Sequence, residues 1–493
     1  MSRPVTWAIL AAMVALFCIR NLPWHLDDYD QAKQAYVSFE MVEQGNWWFQ
    51  HTPQQRIATK PPLAGWISAA FYGVTRWWDG AWRIPPLVSA LAIAAVLFRA
   101  GECILPRFGG VLAAGAFGLN LTAPRLATLV RTDMMLALFI FLAGYVVFEK
   151  VRTGARWESR DRWTVFWLIL GSMLTKGPIA YAFLLPGLVA FALLCRRSGA
   201  RNNAWSGWWP WFAPLLVFAL WVGIGIWQSR DFYEQVVLKE FMGRFDMSDE
   251  PVHQHQPLYF YVLHLLRAWM PWSALLVALL FVRDVRRSLA GDPARLWLLC
   301  WILGGLILMS VIPSKRADRV FPVIPPLCLL LIYLVREIQM SGLFGLPLRR
   351  VVAVFLVLAM AISGGYAVYK IADGYRGHEG ALVAFGDRVR ALAATGAFRY
   401  AVVNGRDEGM LLYLRQPRFL KFSEAERGWK AGQLNALVLT EKDFQKNASA
   451  LQPWTQRDAS GTAANKNGQY FLIVRSDGHP EPQPSPSPSL SPP

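Results

Sequence analysis

The stretch Leu26-Asp27-Asp28-Tyr29-Asp30 continues through Phe39-Glu40-Met41 and Gly45-Asn46-Trp47-Trp48 to Lys60-Pro61-Pro62-Leu63, and it decides how the chain is read. It follows a first apolar run, Trp7–Ile19, and sets Asp27, Asp28 and Asp30 directly behind it. A carboxylate next to a membrane span is costly unless it has a function or reaches water. The stretch is too polar to cross a bilayer and too aromatic for a free linker. It reads as an interfacial loop on the outer face.

Outward from this loop, the 493 residues are 54% hydrophobic, with 23 Trp and 29 Phe. The apolar residues are gathered into runs that, with their flanks, approach the roughly 20 residues needed to span hydrocarbon. Besides Trp7–Ile19 the cores are Ile84–Ile104, Val111–Ala127, Met134–Phe148, Trp163–Leu174, Ile179–Leu194, Trp211–Ile226, Ala268–Phe281, Leu296–Val311, Phe321–Leu334 and Val351–Tyr369. The expected fold is an all-α polytopic membrane protein with about eleven transmembrane helices, spanning residues 1–371. No small-residue cleavage site follows Trp7–Ile19, so the run is expected to be a retained span rather than a signal peptide. Leu63–Val74 is apolar but short, and reads as a juxtamembrane helix.

The net charge of +17 does not point to nucleic acid. The arginines cluster in alternate short loops, at Arg152–Arg162, Arg196–Arg201, Arg283–Arg287 and Arg349–Arg350. That is the positive-inside pattern of cytoplasmic loops. It puts the N-terminus inside, and the loop 21–82, the segment 228–264 and the tail outside. Membrane lipids are expected partners of the basic excess. Cys18, Cys103, Cys195, Cys300 and Cys328 fall in or beside spans, so no disulfide framework is implied.

From about Ala372 the apolar runs shorten to strand length, at Tyr400–Asn404, Ala436–Thr440 and Tyr470–Val474, and Ala381–Leu392 has helical periodicity. This predicts a small α/β domain over 372–479, followed by a disordered Pro/Ser tail over 480–493. Two external segments carry further chemistry. The segment 228–264 holds Arg244, His253, His255 and Tyr259; the turn Pro313–Arg319 holds Lys315, Arg316 and Arg319 against the inside bias. His253 and His255 are either solvated loop residues or half of a metal site with Glu40 or Asp249. No cofactor is assigned, and a divalent metal is allowed but not indicated.

Five patterns together resemble the GT-C glycosyltransferases, in the group of protein O-mannosyltransferases and the aminoarabinose transferase that modifies lipid A. They are Tyr29-Asp30 ahead of Glu40-Met41, Gly45-Asn46-Trp47 and Lys60-Pro61-Pro62-Leu63; Trp82-Arg83-Ile84-Pro85; Thr132-Asp133-Met134; Leu174-Thr175-Lys176-Gly177-Pro178; and, more weakly, Phe241–Phe245 with Pro257, Tyr259, Tyr261 and Pro271-Trp272-Ser273. The resemblance covers about the first 330 residues. It implies inverting transfer of a sugar from a polyprenyl-phosphate donor to a lipid, glycan or protein acceptor, at the periplasmic face of a bacterial inner membrane. Asp30 and Asp133 match its catalytic acids. Lys60, Lys176, Arg244, Lys315, Arg316 and Arg319 are the candidate contacts to the donor phosphate, with Asp28, Glu40, Arg83, Arg131 and Tyr259 in support. Asp133 reads equally as an acid favoured by the dipole at a helix start. The chain departs from the pattern at Asp30-Gln31, where many relatives have Asp-Glu, and at Lys33-Gln34-Ala35. The alternative function is transport of a lipid-linked sugar. It is disfavoured because the spans are nearly free of charge in their centres.

Overall fold

A computed structural model of the chain describes residues 2–475, except 27, 54–55, 199–202, 242–255, 289–290, 314, 341, 378, 397–398, 405–406, 452–453 and 460–468. The chain divides into two compact units. The first is Met1–Trp24, Val37–Thr52 and Arg56–Asp373; the second is His25–Tyr36, Pro53–Gln55 and Gly374–Pro493.

The first unit is helical. Among the described residues, 7 helices are long and apolar enough to cross a membrane, or 8 if one bent pair counts as a span. Nine of the eleven expected cores fall on continuous helix to within a residue, Val111–Ala127 and Ala268–Phe281 being interrupted, and the three cores outside those 8 differ from the ideal span for visible reasons. Arg3–Ile19 has 17 residues. Ser159–Lys176 has 18, but opens with Arg160, Asp161 and Arg162. The run Val111–Ala127 is broken into Gly109–Gly118 and Ala123–Thr128.

A helix can stop inside apolar surroundings only if its freed backbone groups find partners. Here Asn120, 1% exposed, supplies them. Its Oδ1 accepts from the Thr122 and Ala123 amides at 2.8 and 2.9 Å, and its Nδ2 donates to the Phe117 carbonyl at 2.6 Å. The indoles of Trp269 and Trp272 donate to the Ala116 and Leu119 carbonyls, each at 2.8 Å. Those tryptophans flank the second break, where Phe260–Ala268 and Trp272–Leu280 meet at 111°. The two interrupted helices thus satisfy one another.

Ala180–Ser198 and Pro293–Val311 touch backbone to backbone. A Cβ on Gly187 would stand 2.7 Å from the Trp301 Cα, and one on Gly304 would stand 2.6 Å from the Gly187 nitrogen. Small residues permit such contact, which gains dispersion energy where lipid removes the hydrophobic drive between helices.

The second unit holds a four-stranded sheet of order β1-β2-β4-β3, with β1 (Tyr400–Val402), β2 (Ala436–Thr440), β3 (Trp454–Ala459) and β4 (Tyr470–Arg475). β1 and β2 are parallel; the other pairs are antiparallel. Its core includes Val403, Trp429, Leu437, Leu439, Leu451 and Ile473. Helices Ala381–Gly396, Glu408–Tyr413, Phe422–Lys430 and Glu441–Asn447 accompany the sheet. β3 reads Trp-Thr-Gln-Arg-Asp-Ala, a polar edge strand with no apolar run to announce it. The tail expected over 480–493 lies outside the described residues.

Candidate functional site

In the first unit, the ends of several helices bring charge together. Asp133 opens the helix Asp133–Thr153 and is 7% exposed. Lys176 closes the helix Ser159–Lys176 and donates to the Asp133 carboxylate. Acid at a helix start and cation at a helix end each suit the local dipole. The charges of Lys60 and Arg131 also act on the Asp133 carboxylate. Arg131 in turn reaches Asp318 Oδ2 at 3.1 Å, while Arg125 reaches Oδ1 at 3.0 Å. Asp318 thereby ties the turn at Pro313–Arg319 to the chain around Arg125 and Arg131.

That turn is fixed further. Lys315 is 6% exposed and donates to the Gln256 carbonyl at 2.8 Å. Burial lowers its ammonium pKa from the ordinary lysine value. The Arg316 amide donates to the Tyr261 hydroxyl at 3.3 Å, and the Arg316 side chain is exposed. Arg319 is buried.

Lys176 and Arg319 border an apolar cleft of about 380 Å³ whose other walls include Ile179, Leu185, Leu308, Met309 and Ile312. Lys176 closes its helix, and Arg319 lies in the short 3-10 helix Ala317–Val323. Of the apolar lining, Leu185 comes from Ala180–Ser198 and Leu308 and Met309 from Pro293–Val311, the helices in glycine contact. A second groove, of about 730 Å³, is aromatic, with Trp47, Trp48, Phe49, Trp221 and Phe232 on its walls and Asn46, His51 and Gln228 as polar lining.

Glu40 organises the loop around Asn46 and His51. It is 1% exposed. It accepts from Asn46 Nδ2 at 2.7 Å, the His51 amide at 2.6 Å and His51 Nδ1 at 2.9 Å. The bond to Glu40 raises the His51 pKa above the ordinary imidazole value. Arg83 is 4% exposed, donates to the Asp79 carbonyl at 3.0 Å and lies over the Trp24 ring. It braces the loop. Tyr259 is 61% exposed.

In the second unit, Asp28 and Asp30 begin the helix Tyr29–Gln44. The Asp28 carbonyl accepts from the Gln31 and Ala32 amides at 2.9 Å each, and Asp30 stands in the first turn. Both carboxylate residues are half-buried. Arg244, Asp249, His253 and His255 lie outside the described residues. Among the described residues, no group of three His, Cys, Asp or Glu could hold a metal ion.

The structure therefore unites Lys60, Arg131, Asp133 and Lys176, and brings Arg131 to the turn holding Arg319. Sequence reasoning missed two members. Asp318 sat in view among Lys315, Arg316 and Arg319, and an acid amid three cations is a natural counter-ion. His51 gave no signal beyond following Glu40 by eleven positions.

No protein-family profile matches the chain. It is 26% identical over 309 residues (61% of this chain, 54% of the relative) to the undecaprenyl phosphate-alpha-4-amino-4-deoxy-L-arabinose arabinosyl transferase of Erwinia tasmaniensis. It is 27% identical over 343 residues (67% and 60%) to the Pseudomonas aeruginosa protein of the same name. The chain thus spans little more than half the length of these curated relatives. The crystal structure of ArnT from Cupriavidus metallidurans bound to undecaprenyl phosphate superposes with a TM-score of 0.70 at 17% identity, covering 96% of this chain and 98% of that one. The chain has that fold: a GT-C polytopic membrane protein with a small C-terminal α/β region.

Proposed function

We propose that the chain is an inverting glycosyltransferase. It moves a sugar, an aminoarabinose by likeness to its relatives, from a polyprenyl-phosphate donor to a lipid acceptor of the lipid A kind. The reaction is placed at the periplasmic face of a bacterial inner membrane. The observation that carries this reading is the apolar cleft bordered by Lys176 and Arg319. A polyprenyl phosphate is a long hydrocarbon with one anionic end, and the cleft offers both environments in that order. The likeness of fold to a protein crystallised with undecaprenyl phosphate supports it.

The phosphate is also the leaving group. As the bond from the anomeric carbon to the phosphate oxygen breaks, charge accumulates on that oxygen. Fixed cations stabilise it without reorganisation. Lys176 and Arg319 take this role, with Lys60 and Arg316 as further contacts and Arg244 as a candidate from the segment 228–264. Asp133 acts as the counter-ion that holds Lys176 in place. Lys315 gives its ammonium to a backbone carbonyl and serves to hold the turn.

Asp30 is the proposed general base. It takes the proton of an acceptor hydroxyl as that oxygen attacks the anomeric carbon from the side opposite the phosphate, which inverts configuration. Where the acceptor is already an anion, Asp30 orients it. The aromatic groove is assigned to the acceptor, since flat ring faces suit the C–H faces of a sugar headgroup.

The test is transfer in liposomes, with radiolabelled aminoarabinosyl undecaprenyl phosphate as donor and lipid A as acceptor. Labelled lipid A of the expected added mass is the predicted product. Label that crosses the bilayer with no covalent product would establish transport instead. No product from any polyprenyl-phosphate sugar would sink the reading.

A further inference from the structure

The acid-bearing segment and the C-terminal α/β domain belong to one compact unit. Two grips hold the segment, one on each side of Asp28 and Asp30. On the near side, the Leu26 amide donates to the Tyr413 hydroxyl at 2.5 Å. Leu26 is 2% exposed, so this amide has no access to water as a substitute partner. A Cβ on Gly409 would stand 2.6 Å from the Leu26 carbonyl oxygen, so the two backbones are in contact there. The His25 ring nitrogen Nε2 lies 3.4 Å from the Glu379 carboxylate. On the far side, the fully buried Tyr36 donates its hydroxyl to the Pro417 carbonyl. Ala32 and Ala35 are buried with it, whereas Tyr29 is exposed and Asp30 half-buried.

The near grip is itself anchored. Gly409 and Tyr413 lie on the helix Glu408–Tyr413, whose N-cap is Asp407. Asp407 is 8% exposed and accepts from the Tyr470 hydroxyl of β4 at 2.7 Å. A line of support thus runs from the sheet, through Tyr470 and Asp407, to the helix, to Leu26 and so to the acids.

We propose that the C-terminal domain is a positioning device for the first-loop acid, with Gly409, Tyr413 and Tyr36 as positioning residues that set where Asp30 stands. This rests on the reading of Asp30 as the catalytic carboxylate. A group misplaced by about 1 Å loses on the order of 10²-fold in rate, so grips of this kind bear on turnover although they touch no substrate.

The experiment uses the full chain in liposomes with the labelled donor and lipid A. The variants are Tyr413→Phe, Gly409→Ala, Tyr36→Phe, Asp30→Asn and, as control, Trp429→Phe, which thins the core beside the sheet without touching either grip. The grip variants are expected to lower kcat by roughly ten- to hundredfold. The donor KM should stay unchanged, and hydrogen exchange should rise at amides 28–36. Trp429→Phe should lower the melting temperature and leave kcat intact. Tyr413→Phe removes a single oxygen, so it remains informative where Gly409→Ala does not fold. Wild-type kcat in Tyr413→Phe and Tyr36→Phe, beside an inactive Asp30→Asn, overturns the positioning role. Loss of kcat in Trp429→Phe matching that of the grip variants overturns it too, reducing the domain to a generic stabiliser. Full activity of Asp30→Asn overturns the catalytic reading itself, and the positioning role goes with it.

Discussion

Lys176 donates to Asp133 across 43 positions of sequence, joining the end of one helix to the start of another. Both side chains are largely buried. Removing one partner of such a pair leaves a charge without compensation, at a cost of about 3–5 kcal/mol. Asp133→Ala should lower stability by that order. The double variant Asp133→Ala/Lys176→Met should recover most of it without recovering donor binding. Unfolding curves and undecaprenyl phosphate titrations of the three proteins check both halves. Equal stability of Asp133→Ala and wild type would show that the pair is not load-sharing.

Arg319 contributes one fixed cation at the cleft, and a hydrogen bond to a charged group is worth about 1.5–3 kcal/mol. Arg319→Ala should therefore weaken undecaprenyl phosphate binding by tenfold or more. Undecaprenol, which has the tail and no phosphate, should bind both proteins alike. A parallel loss of undecaprenol binding would mean that the variant damages the cleft and says nothing about phosphate.

Asp30→Asn keeps shape and removes charge. Transfer should fall by about 10²–10⁴, the usual contribution of a general base. Undecaprenyl phosphate affinity should hold. Asp28, whose carbonyl starts the helix, should tolerate the same change far better. Rates from initial-velocity assays decide between them, and a reversed order would move the base to Asp28.

His51 titrates above the ordinary imidazole value because Glu40 accepts its proton-bearing nitrogen. A group whose pKa is raised on folding gives its full stabilisation below the unfolded value, about 6.5. It loses that stabilisation as pH climbs through the folded value. Amides 46–52 should therefore exchange faster on the alkaline side of that window, after correction for intrinsic rates. His51→Gln should flatten the profile, and an unchanged profile in that variant would dismiss the pair as the cause.

The arginine clusters in alternate loops predict that the chain after Tyr369 lies outside. A reporter active only in the periplasm should work when fused at Gly374, and a cytoplasmic reporter should stay silent there. The opposite pattern would reverse the side on which Lys176, Arg319 and Asp133 are placed.

The helices were readable because apolar runs are local. Nine of the eleven expected cores, Trp7–Ile19 and Val351–Tyr369 among them, fall on continuous helix. Their interruptions were not readable. Besides Asn120's own local bonds, the break there and the bend before Trp272 are joined by hydrogen bonds about 150 positions long, such as the 153-position link from Trp269 to Ala116. Nothing in a sequence window reports such a partner. The site shows the same division. Lys176 and Asp133 were visible as motif residues, but their pairing was not. Asp318 was visible as an acid, but not as the link to Arg125 and Arg131. β3 was missed because its sequence, Trp-Thr-Gln-Arg-Asp-Ala, carries no apolar run, and a strand paired on one side only can do without one.

Gly187 and Gly304 have a practical consequence for inhibitor chemistry. Where two helices meet through backbone atoms, no side chain can rotate away to make room. Beside that seam only the side chains that wall the cleft, Leu185, Leu308 and Met309 among them, can give. A flexible, thin hydrocarbon asks less of them than a fused-ring lipid does. Ligands for this cleft should be sought among slender tails with an anionic head, and bulk should be added only at the head.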